Sequence, residues 1–329
     1  MAITPTDNNA YISVALGNGD IRTFPKGATS VDLIGNKVIV KDISVQAGEP
    51  VTLDWQDIAG TPYANNTELH TALVAYLNTG AGSVVADFHS DVALGNVSGA
   101  TTWNKFGYND DVDVGTELIA SWGGAFQYLT SGETIDIVST SANDTVLGSH
   151  CQKIVVYGVD ENWASQIEII DMDGTNTVTT TTQWIGINRV AIFKANATNK
   201  QNEGVITITA NSSGYTMAQM PAGQGTTQQC IFYVPDSTTF LAEWLYFNII
   251  KPSGQTPNVD VFGYVYSDVS TAEYEIYRDS LDTADGNHIE VAPPLPFVVS
   301  GKSILWFEAT TDKADTNVRC RFSGELIAD

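Results

Sequence analysis

Four histidines, three cysteines and three acidic clusters are the parts of this 329-residue chain whose side chains could do chemistry. His70, His89, His150 and His288 include no pair at the close spacing that would bring two imidazoles to one metal. His150 beside Cys151 is the nearest approach to a thiol and imidazole pair. Neighbours on a strand face opposite ways, however, so those two side chains should diverge. Cys151, Cys230 and Cys320 form no CxxC motif and leave one thiol over in any disulfide scheme. They read as buried, reduced thiols. Residues 109–113, 171–174 and 282–287 concentrate Asp and Asn, but none has the spacing of a calcium loop. Solvated turns are the simpler reading there, with structural Ca2+ as the alternative. A glycosidase would need two carboxylates across a cleft, and 38 acidic residues make that requirement undiscriminating. No phosphate-binding glycine motif is present. The sequence thus assigns no catalytic, cofactor-binding or metal-binding residue.

Seven tryptophans could instead work through surfaces. Trp244, Tyr246, Trp306 and Phe307 lie in strongly apolar runs and are assigned to the core. Trp103, Trp122 and Trp163 neighbour Gly, Asn or Ser, which makes them candidates for an exposed or interfacial role. Phe24, Pro25, Lys26 and Trp55 are the corresponding partner-binding candidates near the N-terminus.

The elements that must position these residues are mainly strands. Apolar residues recur at every second position in 135–137, 154–156 and 167–169, the period of sheets with one wet face. Turn formers separate the runs at residues 141–144, 160–162 and 171–174. Strand candidates also fall at 11–16, 30–33 and 37–40, with Gly35-Asn36 as a hairpin signal. One helix is expected: Leu69, Leu73, Tyr76 and Leu77 share a face, with Asn65 and Glu68 at its start. The small-residue joint at 79–83 and the polar break at 210–214 divide the chain into three parts. These are an N-terminal α+β module over 1–80 and two β-sandwich, jelly-roll-like domains over 81–210 and 211–329. The fold class is therefore mainly β.

The net charge of −23 repels phosphate, and the basic residues are dispersed, so no nucleic acid partner is expected. Residues 240–250 form a short apolar window carrying Glu243 and Asn248, which excludes a membrane span there. The first basic residue is Arg22 and no continuous apolar run precedes it, unlike a secretory signal.

Several segments in a fixed order resemble a virion structural family of marine tailed bacteriophages. They are DFHSDVALGNVSG with the NKFGYN after it, the Ser/Thr turn at 139–145, Gly158-Val159-Asp160, MDGTNTVTTT, Ile187-Asn188-Arg189 and the closing run PPLPFVVSGKSILWFEATTDKADTNVRCRFSGELI. The resemblance runs from about Asp87 to the C-terminus. It implies a non-enzymatic particle component, a capsid decoration, knob or head fibre, docked by its N-terminal module. It also implies a homotrimer and a virion location after assembly in the host cytoplasm, with the major capsid protein or portal and tail proteins as partners. A tail-associated protein that binds a host-surface glycan is the alternative, and a polysaccharide-degrading enzyme ranks below both.

Overall fold

The computed structural model describes residues 11–15, 21–25, 31–33, 36–38, 88–250, 255–282, 288–292 and 296–329. The chain divides into two compact units, Met1–Ala86 and Asp87–Asp329. In the first, β1 (Tyr11–Ala15) pairs antiparallel with β2 (Ile21–Pro25), and β3 (Val31–Leu33) with β4 (Asn36–Val38). Leu33 sits opposite Asn36. Asn36 of the expected Gly35-Asn36 turn is therefore in the ladder, and Gly35 lies outside the described residues. Phe24 and Pro25 lie on β2, opposite Ile12 and Tyr11. The expected helix over 65–77, with Lys26 and Trp55, lies outside the described residues.

The second unit opens with a short helix, α1 (Phe88–Ala93), followed by the long strand β5 (Ala100–Val112) and the two-residue β6 (Glu117–Leu118). Next come β7 (Ile135–Ser139), β8 (Cys151–Asp160), β9 (Ser165–Asp171), β10 (Val178–Thr179), β11 (Trp184–Ala195), β12 (Ile206–Ala210) and β13 (Thr216–Met220). These form two antiparallel sheets in the orders β10-β7-β12-β13 and β11-β8-β9. The expected alternation is realised here: Ile135 and Ile137 of one sheet meet Ile154 and Val156 of the other in a shared core with Ile206, Ile208 and Trp184.

The remaining strands are β14 (Ile231–Val234), β15 (Thr238–Ile250), β16 (Asn258–Ser267), β17 (Ala272–Asp282), β18 (His288–Val291), β19 (Phe297–Ser300), β20 (Ser303–Thr311) and β21 (Thr316–Ala328). They build a second sandwich, with sheets β18-β15-β21-β5 and β14-β20-β16-β17 around an aromatic core. Strand β5 thus belongs to this sandwich, paired with β21 along most of its length. Strands β12 and β13 are hydrogen-bonded neighbours on the two sides of residue 210.

The division into 81–210 and 211–329 is corrected accordingly. Residues 135–220 form an inserted sandwich, and the strands on either side of that insertion complete a parent sandwich. Chain order hid this, because a strand's partner in a sheet is chosen by tertiary packing. With β5, β14, β15, β16, β17, β18, β20 and β21 taken as strands 1 to 8, the parent sheets read 6-3-8-1 and 2-7-4-5.

A bulge in β15 decides which side chains face outward. Pairing with β21 skips from Ala242 to Trp244, leaving Glu243 as the extra residue. One extra residue reverses the parity of everything after it. Phe240 and Ala242 point into the core before the bulge, and Leu245, Phe247 and Ile249 after it. Trp244 and Tyr246 are consequently half-buried on the outer face, stacked at 5.8 Å and 10°. Their assignment to the core is overturned, while Trp306 and Phe307 are buried as expected.

Candidate functional site

The two sandwiches of the second unit meet at a junction built from Ile187-Asn188-Arg189 at the start of β11. Asn188 is buried, and its side chain acts as a short strand. Its Nδ2 donates to the Tyr233 carbonyl at 2.9 Å, and its Oδ1 accepts from the Tyr233 amide at 2.7 Å. Gln229 Nε2 donates to the Ile187 carbonyl at 2.8 Å, and Lys105 Nζ donates to the Asn188 carbonyl. Arg189 Nη2 donates to the Asn104 carbonyl at 2.6 Å, with its guanidinium 5.5 Å from the Trp103 ring centroid. A Cβ on Gly186 would lie 2.1 Å from the Tyr233 ring, so only glycine admits this approach. Beneath these contacts Leu118, Val159, Trp163, Ile185, Ile231, Tyr233, Ile304 and Trp306 form a continuous apolar cluster. Lys105 is held in this junction with its pKa lowered from 10.5 to about 7, first by burial and then by the charge of Arg189.

Beside the junction lies a cleft of about 460 Å³ between the sandwiches. Strands β5 and β21 supply Phe106, Tyr108, Asp110, Arg319 and Arg321, and Gln219, Pro221, Gln224 and Gln228 line the other side. The Arg319 guanidinium sits 5.0 Å from the Tyr108 ring centroid, and Asn317 Nδ2 donates to the Tyr108 hydroxyl at 3.0 Å. Ser121 Oγ donates across the cleft to the Gln219 carbonyl at 3.3 Å. Flat rings, two guanidinium groups and several amides offer stacking and directed hydrogen bonds. Asp110 is the single carboxylate in the lining, so this is the chemistry of binding and not of paired acid–base work.

Of the tryptophans expected in an exposed or interfacial role, Trp103 and Trp122 are half-buried and Trp163 is buried. Trp163 is 5% exposed, has φ of 62° and joins the junction cluster, where its carbonyl accepts from the Asp236 amide at 2.8 Å. The turn at 160–162 drives the ring inward, a placement that its polar neighbours conceal. Trp122 packs against the same cluster, and Trp103 packs on Phe232 at 5.0 Å between ring centroids.

The thiols are buried and unpaired. Burial, then the charge of Asp144, pushes the Cys151 thiol up to about 12. Burial and the neighbouring Cys230 raise Cys320 well above the ordinary thiol value. His150 is 4.0 Å from Glu203 at its Nε2 and within 3.0 Å of Ser149 Oγ at its Nδ1, while Cys151 Sγ donates to the Lys153 carbonyl. The expected divergence of this pair holds.

Of the acidic loops, 171–174 is a turn tied into the fold: the Gly174 amide donates to the Asp144 carbonyl, and Asp171 pairs with Lys153 at 2.5 Å. Residues 109–112 are not a turn but the end of β5, where the Asn109 side chain donates to Glu117 and the Leu118 carbonyl. Asp111 has its pKa raised by a hydrogen bond with Asp315 and by the nearby acids. Residues 283–287 lie outside the described residues.

Two groupings were invisible in the sequence. Asp144, fully buried, accepts from Ser139 Oγ at 2.6 Å, from the Cys151 amide at 3.1 Å, and from the Glu203 and Gly204 amides at 3.0 and 2.9 Å. His89, Glu243 and Glu325 bring one nitrogen and two carboxylate oxygens within 4.8 Å of one another. Each residue comes from a different element, and no local spacing signals the meeting. Among the described residues no helix is long and apolar enough to cross a membrane.

No family model and no curated protein matches the chain. Among solved structures, the VP2 subviral particle of infectious bursal disease virus aligns over 74% of this chain and 78% of its own, at 11% identity and a TM-score of 0.17. The Gx strain of the same virus aligns over 70% of this chain and 72% of its own, at 11% identity and a TM-score of 0.18. No residue role is carried across at these scores.

Proposed function

We propose that the chain is a non-enzymatic structural protein of a tailed-phage particle, docked by residues 1–80 and projecting a rigid, acidic β-rich knob or head fibre. The observation that carries this reading is the strand order of the parent sandwich, 6-3-8-1 against 2-7-4-5, which is the connectivity of a jelly roll. That architecture serves viral coat proteins as well as lectins and cupins, so surfaces must discriminate among them.

Surface features support the structural assignment. On the outer face of sheet β11-β8-β9, Ile167 and Ile169 are 59% and 49% exposed, opposite Tyr157 and Val155. Large apolar side chains side by side on an exposed sheet suit contact with neighbouring virion proteins, including further copies in a trimer. A net charge of −23 keeps assembled particles apart in solution. The raised thiols supply no nucleophile. Gold-labelled antibody against the chain tests the reading on intact particles. Regular labelling of the capsid or of one vertex is expected, and particles that carry no label would sink it.

A second reading is favoured by the cleft. Arg319, Arg321, Tyr108 and the glutamines opposite suit a host-surface glycan bearing carboxylates, which would make the chain a tail-associated receptor-binding protein. Binding of the purified chain to an array of acidic glycans, lost in Arg321→Ala, would favour that assignment over passive decoration. Release of reducing sugar from host polysaccharide would instead indicate an enzyme.

A further inference from the structure

We propose that His89, Glu243 and Glu325 form a binding site for a single divalent cation of the zinc class, which fastens α1 to the outer face of the parent sandwich. His89 lies on α1, Glu243 is the bulge residue of β15, and Glu325 lies on the adjacent strand β21. Both carboxylates converge on the same ring nitrogen: Glu325 Oε1 is 2.5 Å and Glu243 Oε2 is 2.9 Å from His89 Nδ1. One imidazole nitrogen carries at most one proton, and that proton cannot be shared well between two acceptors.

Glu325 sharpens the problem. It is 3% exposed, and its second oxygen, Oε2, is buried with no hydrogen-bond partner. A buried carboxylate with an idle oxygen is costly, more so with a second carboxylate beside it. A divalent cation removes both difficulties. It neutralises the two carboxylates together, takes a second bond from Glu325, and uses the Nδ1 lone pair as a ligand. Zinc holds imidazole nitrogen and carboxylate oxygen at about 2.1 Å, which places tetrahedral ligands about 3.4 Å apart. The three side chains would each withdraw by less than about 1 Å, which is within rotamer adjustment. One imidazole with only two carboxylates is too nitrogen-rich and too small a set for Ca2+ or Mg2+. Three protein ligands leave a fourth position for water.

The β15 bulge acquires a role in this account. Without the extra residue, the ladder would run through Glu243 unbroken and Trp244 would point into the core. The bulge therefore puts the Trp244 and Tyr246 pair on the outer face, the face that Glu243 and Glu325 share.

The test uses the full chain, stripped of metal with a chelator and titrated with Zn2+ by calorimetry. One ion per chain is expected, with the melting temperature raised by about 5 °C at saturating metal. His89→Ala and Glu243→Gln should each weaken binding by more than about tenfold. Glu243 lies at the rim, so its variant keeps the test valid if Glu325→Gln fails to fold. His150→Ala, at the other histidine near a glutamate, should bind as the parent chain does. Absence of saturable binding, affinity unchanged in both His89→Ala and Glu243→Gln, or loss of binding in His150→Ala would each overturn the site.

Discussion

Phe232, Phe240, Phe247, Phe307 and Phe322 fill the parent sandwich, with Tyr277 and Phe297 packed against them, whereas the inserted sandwich buries mostly aliphatic residues around Trp184. Each large ring removes more area from water than an aliphatic side chain does, so the parent sandwich closes largely by burial. The inserted sandwich supplements a leaner core with polar anchors. Asp144 ties Ser139, Cys151, Glu203 and Gly204 together. Asn202 does the same for Gly204, Pro221 and Gly225. Two sandwiches on similar plans therefore place their vulnerabilities differently: the parent is sensitive to lost volume, the insert to lost hydrogen bonds.

The sharpest way to break this contrast is Asp144→Ala. It strands two buried amides and a hydroxyl, and should cost about 4 kcal/mol in urea denaturation. Phe247→Leu in the parent core should cost only about 1 to 2 kcal/mol, because most of the volume is kept. Equal costs for the two would remove the distinction.

Gly186→Ala addresses the joint between them. A Cβ driven into the Tyr233 ring should cost about 2 to 3 kcal/mol. It should also split a single unfolding transition into two, as the sandwiches lose their coupling. A single, unshifted transition would show that the junction carries little of the stability.

Lys105→Met follows in size. The folded-state pKa of Lys105, about 7, lies below its ordinary 10.5, so between those values the unfolded chain binds the additional proton. Stability should therefore rise with pH from about 7 to about 10.5, and sit lower below 7, where the buried ammonium is charged. The methionine variant should be more stable than the parent chain by about 2 kcal/mol at pH 6, and should lose that slope. Parallel stability–pH curves would contradict the depressed value.

Ile169→Glu has the smallest expected effect on folding, within about 0.5 kcal/mol, since the side chain is already half exposed. Incorporation into particles should nevertheless fall. Wild-type incorporation of this variant would remove the sheet face from the assembly reading.

The strand class was legible from alternation at 135–137 and 154–156 and from the turn residues between them, because burial on one face of a strand imposes a period of two on local sequence. Buried thiols were legible too, from their isolation. Ile187-Asn188-Arg189 stands out in the sequence only through a resemblance, because its clamp on Tyr233, Asn104 and Trp103 is made across the fold. Trp163 and Trp244 were misplaced for one shared reason. A positive φ at the first and a bulge before the second redirect a side chain without altering the local hydrophobic pattern.

Local composition was enough to determine that this chain is acidic and folds mainly into strands with tight polar turns, since those properties depend on neighbours a few residues apart. Tertiary structure alone decided that β5 closes against β21, that one sandwich is inserted in another, and that His89 meets a glutamate 236 positions away. Contacts of that range are selected by the packing of whole sheets, and no local pattern encodes them.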